Sequence, residues 1–374
     1  MKHIVIDARL YGPKHTGLGR YTKNLLIALK KTSDFKKYSF TLLVYPELID
    51  EIKKDLGDNF SYLSTNLRHY SFQEQLFLPL LLIKLHPNLV HFTHLDKAIF
   101  YFGKSVVTVH DLIRHFSKGP ETSTKNPLFY WPKYWGYLLM TKIIFFTSHI
   151  IVPSNFWRNY IIGNYHLNPN KIVTTYEAVD PEFFNKSSSF SNLKSKISNY
   201  LIYTGNLYPH KNIDVIFEAL KKLPEIKLKI ICARSIFTSK IEKQIIKKGL
   251  QKQIEFMGYI PDSEFAKIYH QALALVHPSF LEGFSLTGLE AMALDCPVIA
   301  SSSSCLPEIY ENSVLYFDPK NSNELVKQIL LLQKSPQLRN ELIKKGHSQV
   351  AKYSWTKTAK ETLNFYQKIL NEKS

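Results

Sequence analysis

A chain of 374 residues exceeds what one ordinary hydrophobic core accommodates and points to two domains. Its 45% hydrophobic and 13% aromatic content excludes extended disorder. The net charge of +17 is spread over both halves, which reads as a lysine-rich solvated surface ahead of a dedicated polyanion site; Cys232, Cys296 and Cys305 lack CxxC spacing, which excludes a disulfide framework and a zinc pattern and fits a reducing cytosol.

The opening MKHIVIDARLYG has only a short apolar run before Asp7, so it reads as a first strand rather than a signal peptide. Residues 3–7, 39–45, 89–92, 105–110, 149–154 and 171–176 read as strands, with helical patterns such as GRYTKNLLIALKK (19–31) between them. LFLPLLLIKL (76–85) and GYLLMTKIIFFTSHIIV (136–152) are apolar but interrupted by Pro79, Lys84, Lys142 and His149. Both fall short of the roughly 20 residues of a membrane span and read as a core helix and a core helix-plus-strand, with a membrane-grazing face as the open alternative. The serine-rich stretch 185–199 reads as a linker. Strand signals resume at 200–205, 228–233, 254–258, 272–279 and 296–301, with helical patterns at 213–222 and 356–373. The alternation predicts two doubly wound α/β domains in tandem, with ligands beyond the carboxyl ends of the strands, in a cleft between the domains.

Four stretches carry chemistry. EGFSLTGLE (282–290) leaves a buried run and enters a helix near Thr287. The unpaired N–H groups of a first helical turn suit a phosphate, and Gly283 and Gly288 permit close backbone approach. Thr287-Gly288-Leu289-Glu290 also spells a capping box, in which Glu290 merely closes the helix start. The other reading has Glu282 and Glu290 accepting from sugar hydroxyls while the helix start takes a diphosphate, the two parts of a nucleotide-sugar. YTGNLYPHKN (203–212) puts Gly205, His210 and Lys211 at the first strand-to-helix junction of the second half. A lysine there either lies in solvent or meets a diphosphate as a point charge. TGLGRYTKNLL (16–26) is a Gly-x-Gly turn entering a helix, short of a full dinucleotide fingerprint. VVTVHDLIRH (106–115) brings His110 and Asp111 to a strand end, as packed residues or as site groups.

In their order and spacing these motifs resemble glycosyltransferase family 4, the retaining GT-B enzymes. The resemblance covers nearly the whole chain: IDAR…TGLGRYTKNLL (6–26), VTVHDL (107–112), IIVPSNF (150–156), YEAVDPEFF (176–184), YTGNLYPHKN, IEFMGYIPDSEF (254–265), HPSFLEGFSLTGLEAMALDCPVIAS (277–301) and LPEI (306–309). It implies an α/β GT-B fold, two Rossmann-like doubly wound domains facing a cleft. Residues 1–185 would form the acceptor-side domain, 186–199 a linker, 200–354 the nucleotide-sugar-binding domain and 355–374 a helix crossing back to the first domain. It implies catalytic roles for His110 on the donor sugar, Lys211 on the leaving group and Glu282 beside the transferred sugar. Glu290 would hold the ribose hydroxyls and the backbone around Leu286 and Thr287 the diphosphate. Gly17, Gly19, Asn206, His210, Gly258, Gly283, Phe284 and Ser285 complete the implied donor site, with Gly258–Ile260 flanking the base. No cofactor and no essential metal are implied, and no Asp-x-Asp pair is present. Attack from the front face within an ion-pair-like transition state would need no protein nucleophile.

The implied partners are a nucleotide-sugar and a saccharide or lipid-linked acceptor, without nucleic acid. The implied location is the cytoplasm, with room for peripheral contact at the anionic inner face of the membrane. The form of the motifs leans toward mannosyl- or rhamnosyl-type transferases of surface polysaccharides. Several positions depart from the family pattern: Asn206 and His210 stand where an arginine is frequent, and Asp295, Ala178 and Ala233 stand where glycine is. A protonated His210 would replace part of the lost charge. The competing function is a catalytically weak sugar-nucleotide-binding homologue; a nucleic-acid-binding protein finds no reading motif or basic stripe.

Overall fold

The computed structural model describes residues 1–119, 130–181, 183, 198–232, 236–258, 260 and 262–372. Ala233 and the expected linker, apart from Ser198 and Asn199, lie outside them. The chain divides into two units: Met1–Leu112 with Leu128–Glu177 and Ser354–Ser374, and Ile113–Pro127 with Ala178–Tyr353.

The first unit holds β1 (Lys2–Asp7), α1 (Thr16–Lys30), β2 (Tyr38–Val44), α2 (Ile49–Leu56), β3 (Ser61–Ser64), α3 (Phe72–Leu85), β4 (Leu89–Phe92) and β5 (Ser105–Thr108). The short α4 (Ile113–Phe116) falls to the second unit, and α5 (Tyr130–Thr147), β6 (His149–Val152), α6 (Asn155–Tyr165) and β7 (Ile172–Thr174) return to the first. The second unit continues with β8 (Tyr200–Thr204), α7 (Asp214–Leu220), β9 (Lys227–Ile231), α8 (Ile236–Lys247), β10 (Ile254–Phe256), α9 (Asp262–Gln271) and β11 (Ala274–His277). It ends with α10 (Leu286–Ala293), β12 (Val298–Ser301), α11 (Leu306–Tyr310), β13 (Leu315–Phe317), α12 (Ser322–Lys334) and α13 (Pro336–Val350). The last helix, α14 (Trp355–Asn371), lies in the first unit.

Each unit is built on one parallel sheet, of seven strands in the order β3-β2-β1-β4-β5-β6-β7 and of six in the order β10-β9-β8-β11-β12-β13. β4, β11 and β12 are buried at every position, as strands covered on both faces must be. Their apolar runs make them legible. The unforeseen strands are β3 and β13, at sheet edges; β3 is half exposed and β13 only three residues long, so neither spells a long apolar run. α14 is capped by the Ser354 side chain, which accepts from the Lys357 N–H, and it packs beside α1 while burying Trp355, Leu363, Tyr366 and Ile369.

The two long apolar stretches are not fully buried helices. α3 turns Leu78 and Leu82 inward but leaves Leu76, Leu80 and Ile83 exposed, and α5 buries Ile144 and Phe145 but exposes Trp135, Leu139 and Phe146. A helix apolar all round conceals in sequence which face will be covered. No helix among the described residues is long and apolar enough to cross a membrane.

The glycine turn also differs from expectation. Gly17 and Gly19 lie inside the start of α1, and the turn sits upstream at Gly12 (φ 88°) and Thr16 (φ 56°). The Gly12 N–H donates to the Gly19 carbonyl at 3.2 Å. A Cβ on Gly19 would stand 1.9 Å from the Gly12 carbonyl oxygen, whereas one on Gly17 would meet open space. Gly19→Ala should therefore cost about 2 kcal/mol or more of stability in urea denaturation. Gly17→Ala, at a helical position with room, should not lower it.

Candidate active site

In the second sheet the strand order reverses between β8 and β11, so the loops leaving their carboxyl ends diverge around a crevice. After β8 a single 3-10 turn, Pro209–Lys211, ends at Asn212 in left-handed conformation. The Asn212 side-chain amide donates to the carbonyls of Pro278 (3.0 Å) and Pro319 (2.8 Å), and the Phe280 N–H donates to the His210 carbonyl (2.9 Å). These bonds fix the loop after β8 against the loop after β11.

Across that junction Lys211 Nζ donates to both carboxylate oxygens of Glu282, at 2.7 and 2.8 Å. His277, the last residue of β11, donates from Nε2 to Glu282 Oε1 at 2.8 Å. Its Nδ1 lies 3.0 Å from the Tyr310 hydroxyl, which is also 2.7 Å from Ser285 Oγ and receives the Gly288 N–H at 3.1 Å. The Glu282 N–H donates to Ser304 Oγ at 3.1 Å. Glu282 and His277 are buried, and Lys211 is partly open to solvent. Burial alone would raise the Glu282 carboxyl, but Lys211 and His277 outweigh it and hold the group well below the usual carboxylate range. Glu282 is thus a fixed anion that aims a lysine.

The helix start beyond it is α10. Its N-cap is Ser285, held at φ 82° with no side-chain cap bond. Thr287 lies inside the helix, so the Thr287–Glu290 capping box does not form; Glu290 is a buried residue of the helix interior. Leu286 and Thr287 stand at the open first turn. Phe284 is buried edge-to-face on Tyr353, which leaves only its backbone for a ligand. Gly288 serves packing rather than ligand approach, since a Cβ there would meet the Tyr310 hydroxyl at 2.3 Å. Gly205 and Gly258 both have positive φ and open space where a Cβ would be, and Asn206 is exposed. His210 stacks on Tyr208, and burial, helped by Lys211, pushes it down to about 4. It is therefore neutral near pH 7 and does not replace the missing arginine. Asp295 has φ 58°, the conformation for which glycine is usual, and its carboxylate pairs with His347 at 2.6 Å.

His110 lies in the first unit at the carboxyl end of β5, apart in the chain from these groups. Its Nδ1 is 3.2 Å from Glu177 Oε1 and its Nε2 2.9 Å from the Thr93 carbonyl, with Tyr21 edge-on at 4.6 Å. Burial opposes charge on His110, but Glu177 and the carbonyl raise its pKa. Both acceptors favour an imidazolium. Close to β1, Arg9 donates to Asp7 and Glu74, and His69 Nδ1 lies 3.1 Å from Asp96 Oδ2. Asp7, His69 and His94, and likewise His69, Glu74 and Asp96, approach closely enough to surround a cation, but the Arg9 guanidinium already engages Asp7 and Glu74. His94 is buried and pushed down to about 3. His277, Tyr310 and Glu177 escaped the sequence reading. Each lies inside or beside a motif quoted for other residues, and long-range hydrogen bonds give them their meaning.

Two units, each built on one parallel sheet with helices between its strands, are the architecture of GT-B type glycosyltransferases. The profile of Glycosyltransferase Family 4 matches residues 15–183 and that of Glycosyl transferases group 1 matches residues 184–349, and the chain belongs to this family. It is 26% identical to O-antigen chain mannosyltransferase B of Escherichia coli, over 94% of this chain and 96% of that protein. In fold it is similar to sucrose-phosphate synthase from Thermosynechococcus elongatus (TM-score 0.75, 18% identity, 99% of each chain). It is also similar to Anabaena HepE in complex with UDP-glucose (TM-score 0.71, 14% identity, 98% of this chain and 100% of that one).

Two outcomes are expected from this geometry. Tyr310→Phe leaves the Gly288 N–H and Ser285 without their hydroxyl partner, and should cost about 1–3 kcal/mol in denaturant unfolding. His69 is raised to about 9, because Asp96 and Glu74 outweigh the downward pull of burial. Its contribution is then complete below an unfolded pKa of about 6.5 and fades as pH rises through about 9. Unfolding free energy of the first unit should fall over that window, and His69→Gln should flatten the decline.

Proposed function

We propose that the protein transfers a sugar from a nucleotide-diphosphate donor to a saccharide or lipid-linked saccharide acceptor, with retention of anomeric configuration. A mannosyl or rhamnosyl donor is the first candidate, in line with the O-antigen mannosyltransferase relative. The observation that carries the reading is the pairing of buried Glu282 with partly open Lys211 beside the start of α10.

In this mechanism the donor diphosphate lies at the first turn of α10, where the Leu286 and Thr287 N–H groups and the helix dipole meet its charge. Lys211, already oriented by Glu282, stabilises the charge that develops on the departing diphosphate. Glu290 accepts from the ribose hydroxyls and Glu282 stands beside the transferred sugar. His110 and the Gly17 edge would serve the donor-sugar and acceptor side. The acceptor attacks from the face the leaving group vacates, without a protein nucleophile or an essential metal. The second reading, a weakly active donor-binding homologue, draws on His210, whose neutrality leaves Lys211 without a helper cation.

The test is a panel of GDP-, UDP-, dTDP- and ADP-sugars, read for binding and turnover with and without EDTA. One donor class should bind regardless of EDTA, and the product's anomeric configuration by NMR should match the donor's. Lys211→Ala should lower turnover about 100-fold or more. Glu290→Ala should weaken donor binding about tenfold to a hundredfold. Donor binding without turnover would favour the weak homologue. Unchanged binding in Glu290→Ala would reduce that residue to a structural role.

A further inference from the structure

We propose that one face of the first unit, made by α3, the loop 97–103 and α5, seats the protein on an anionic phospholipid surface. α3 joins β3 to β4 and α5 joins β5 to β6, so both connections advance in the same direction across the sheet. Right-handed crossovers set both helices on one face, opposite α1 and α2. The loop joins them. Gln75 Nε2 donates to the Lys97 carbonyl (3.3 Å) and accepts the Ile99 N–H at Oε1 (2.8 Å), while Lys97 Nζ donates to Thr147 Oγ1 (3.1 Å) and Ser148 Oγ (2.9 Å) at the end of α5.

This face holds most of the large apolar side chains left exposed among the described residues. α3 presents Phe72 (90% exposed), Leu76, Leu80 and Ile83 at helical spacing, and α5 presents Trp131, Trp135, Leu139 and Phe146. Phe100 and Phe102 (80% exposed) project from the loop between them. A patch of this kind marks an interaction surface. Its charge selects the partner. The only acid in the three segments is Glu74, which is buried on Arg9, whereas Lys84, Lys133 and Lys142 are exposed. A second copy of the chain would set these lysines against one another, but anionic headgroups accept them. Two tryptophans one turn apart suit the headgroup boundary, where indole rings concentrate. With no helix among the described residues able to span, the face would lie in the interface plane with its exposed lysines reaching the headgroups.

The docking surface goes beyond the transfer reaction and does not depend on it, so its test contains no donor. Full-length protein is floated with phosphatidylglycerol-containing vesicles and with neutral phosphatidylcholine vesicles, following tryptophan emission. Wild type should float with the anionic vesicles with a blue-shifted emission, and less with neutral ones. Leu80→Glu with Trp135→Glu, at exposed positions, should lower partitioning at least about a hundredfold, from two apolar chains withheld from lipid. Lys84→Glu with Lys142→Glu should weaken anionic-vesicle binding by about tenfold or more, each lysine near such a surface being worth about fivefold. The lysine pair keeps the test decisive if the first variant folds poorly. Wild type that stays in solution, or variants that float like wild type, would overturn the proposal. So would a wild-type dimer that Leu80→Glu with Trp135→Glu dissociates without any vesicle binding. Flotation without donor binding would leave this surface standing and remove the transferase reading.

Discussion

A buried carboxylate needs a cation and hydrogen-bond donors, and Glu282 finds them in Lys211 and His277. Everything at the candidate site follows from meeting that requirement. Lys211 is reached only because Asn212 and Phe280 lock the loop after β8 onto the loop after β11. His277 is reached only because β11 ends one turn before Glu282 and leaves its last side chain at the carboxyl edge. Tyr310 then ties His277 to Ser285 and Gly288, which carries the order of the ion pair into the first turn of α10. Lysine charge and helix start are thereby held together before any ligand arrives, the condition under which electrostatic stabilisation is most effective.

The first unit handles charge in the same way with different residues. Asp7 and Glu74 share Arg9, and His69 and Asp96 extend the cluster at the carboxyl edge of β1 and β4. Burial would raise Asp7, but Arg9 holds it well below the carboxylate range. Such clusters gain little net stability from being charged, yet losing one partner is costly. Their consequence is a rigid strand-end surface beside His110 and the start of α1. His110 itself sits between Glu177 and a backbone carbonyl, so its protonation is set by this framework.

What could be read in sequence follows from what each residue must satisfy locally. Strands buried on both faces, such as LVHF and ALVH, announce themselves by composition. The edge strand SYLS does not. The placement of Lys211 and Glu282 at strand-end junctions was legible because their motifs keep order and spacing. The roles of His277 and Tyr310 were not, because the bond that joins them spans 33 residues and arises only when α11 packs against α10. Gly288 looked like a ligand-approach glycine and is a packing glycine for Tyr310. Helix phase misled twice: α10 is capped at Ser285, two residues before the Thr287 that seemed to cap it, and α3 and α5 carry apolar residues on more faces than the core covers.

The central claim is that Glu282 and Lys211 act as one preset unit, and a double-mutant cycle tests it directly. Unfolding free energies of the second unit would be compared for wild type, Lys211→Met, Glu282→Gln and the double variant. A preset pair predicts that the double variant loses less than the two single losses together, by about 1 kcal/mol or more, because Lys211→Met strands the buried Glu282 charge and Glu282→Gln leaves the lysine without its anchor. Losses that add to within about 0.5 kcal/mol would mean that the two residues are independent and that the lysine is not held by the glutamate.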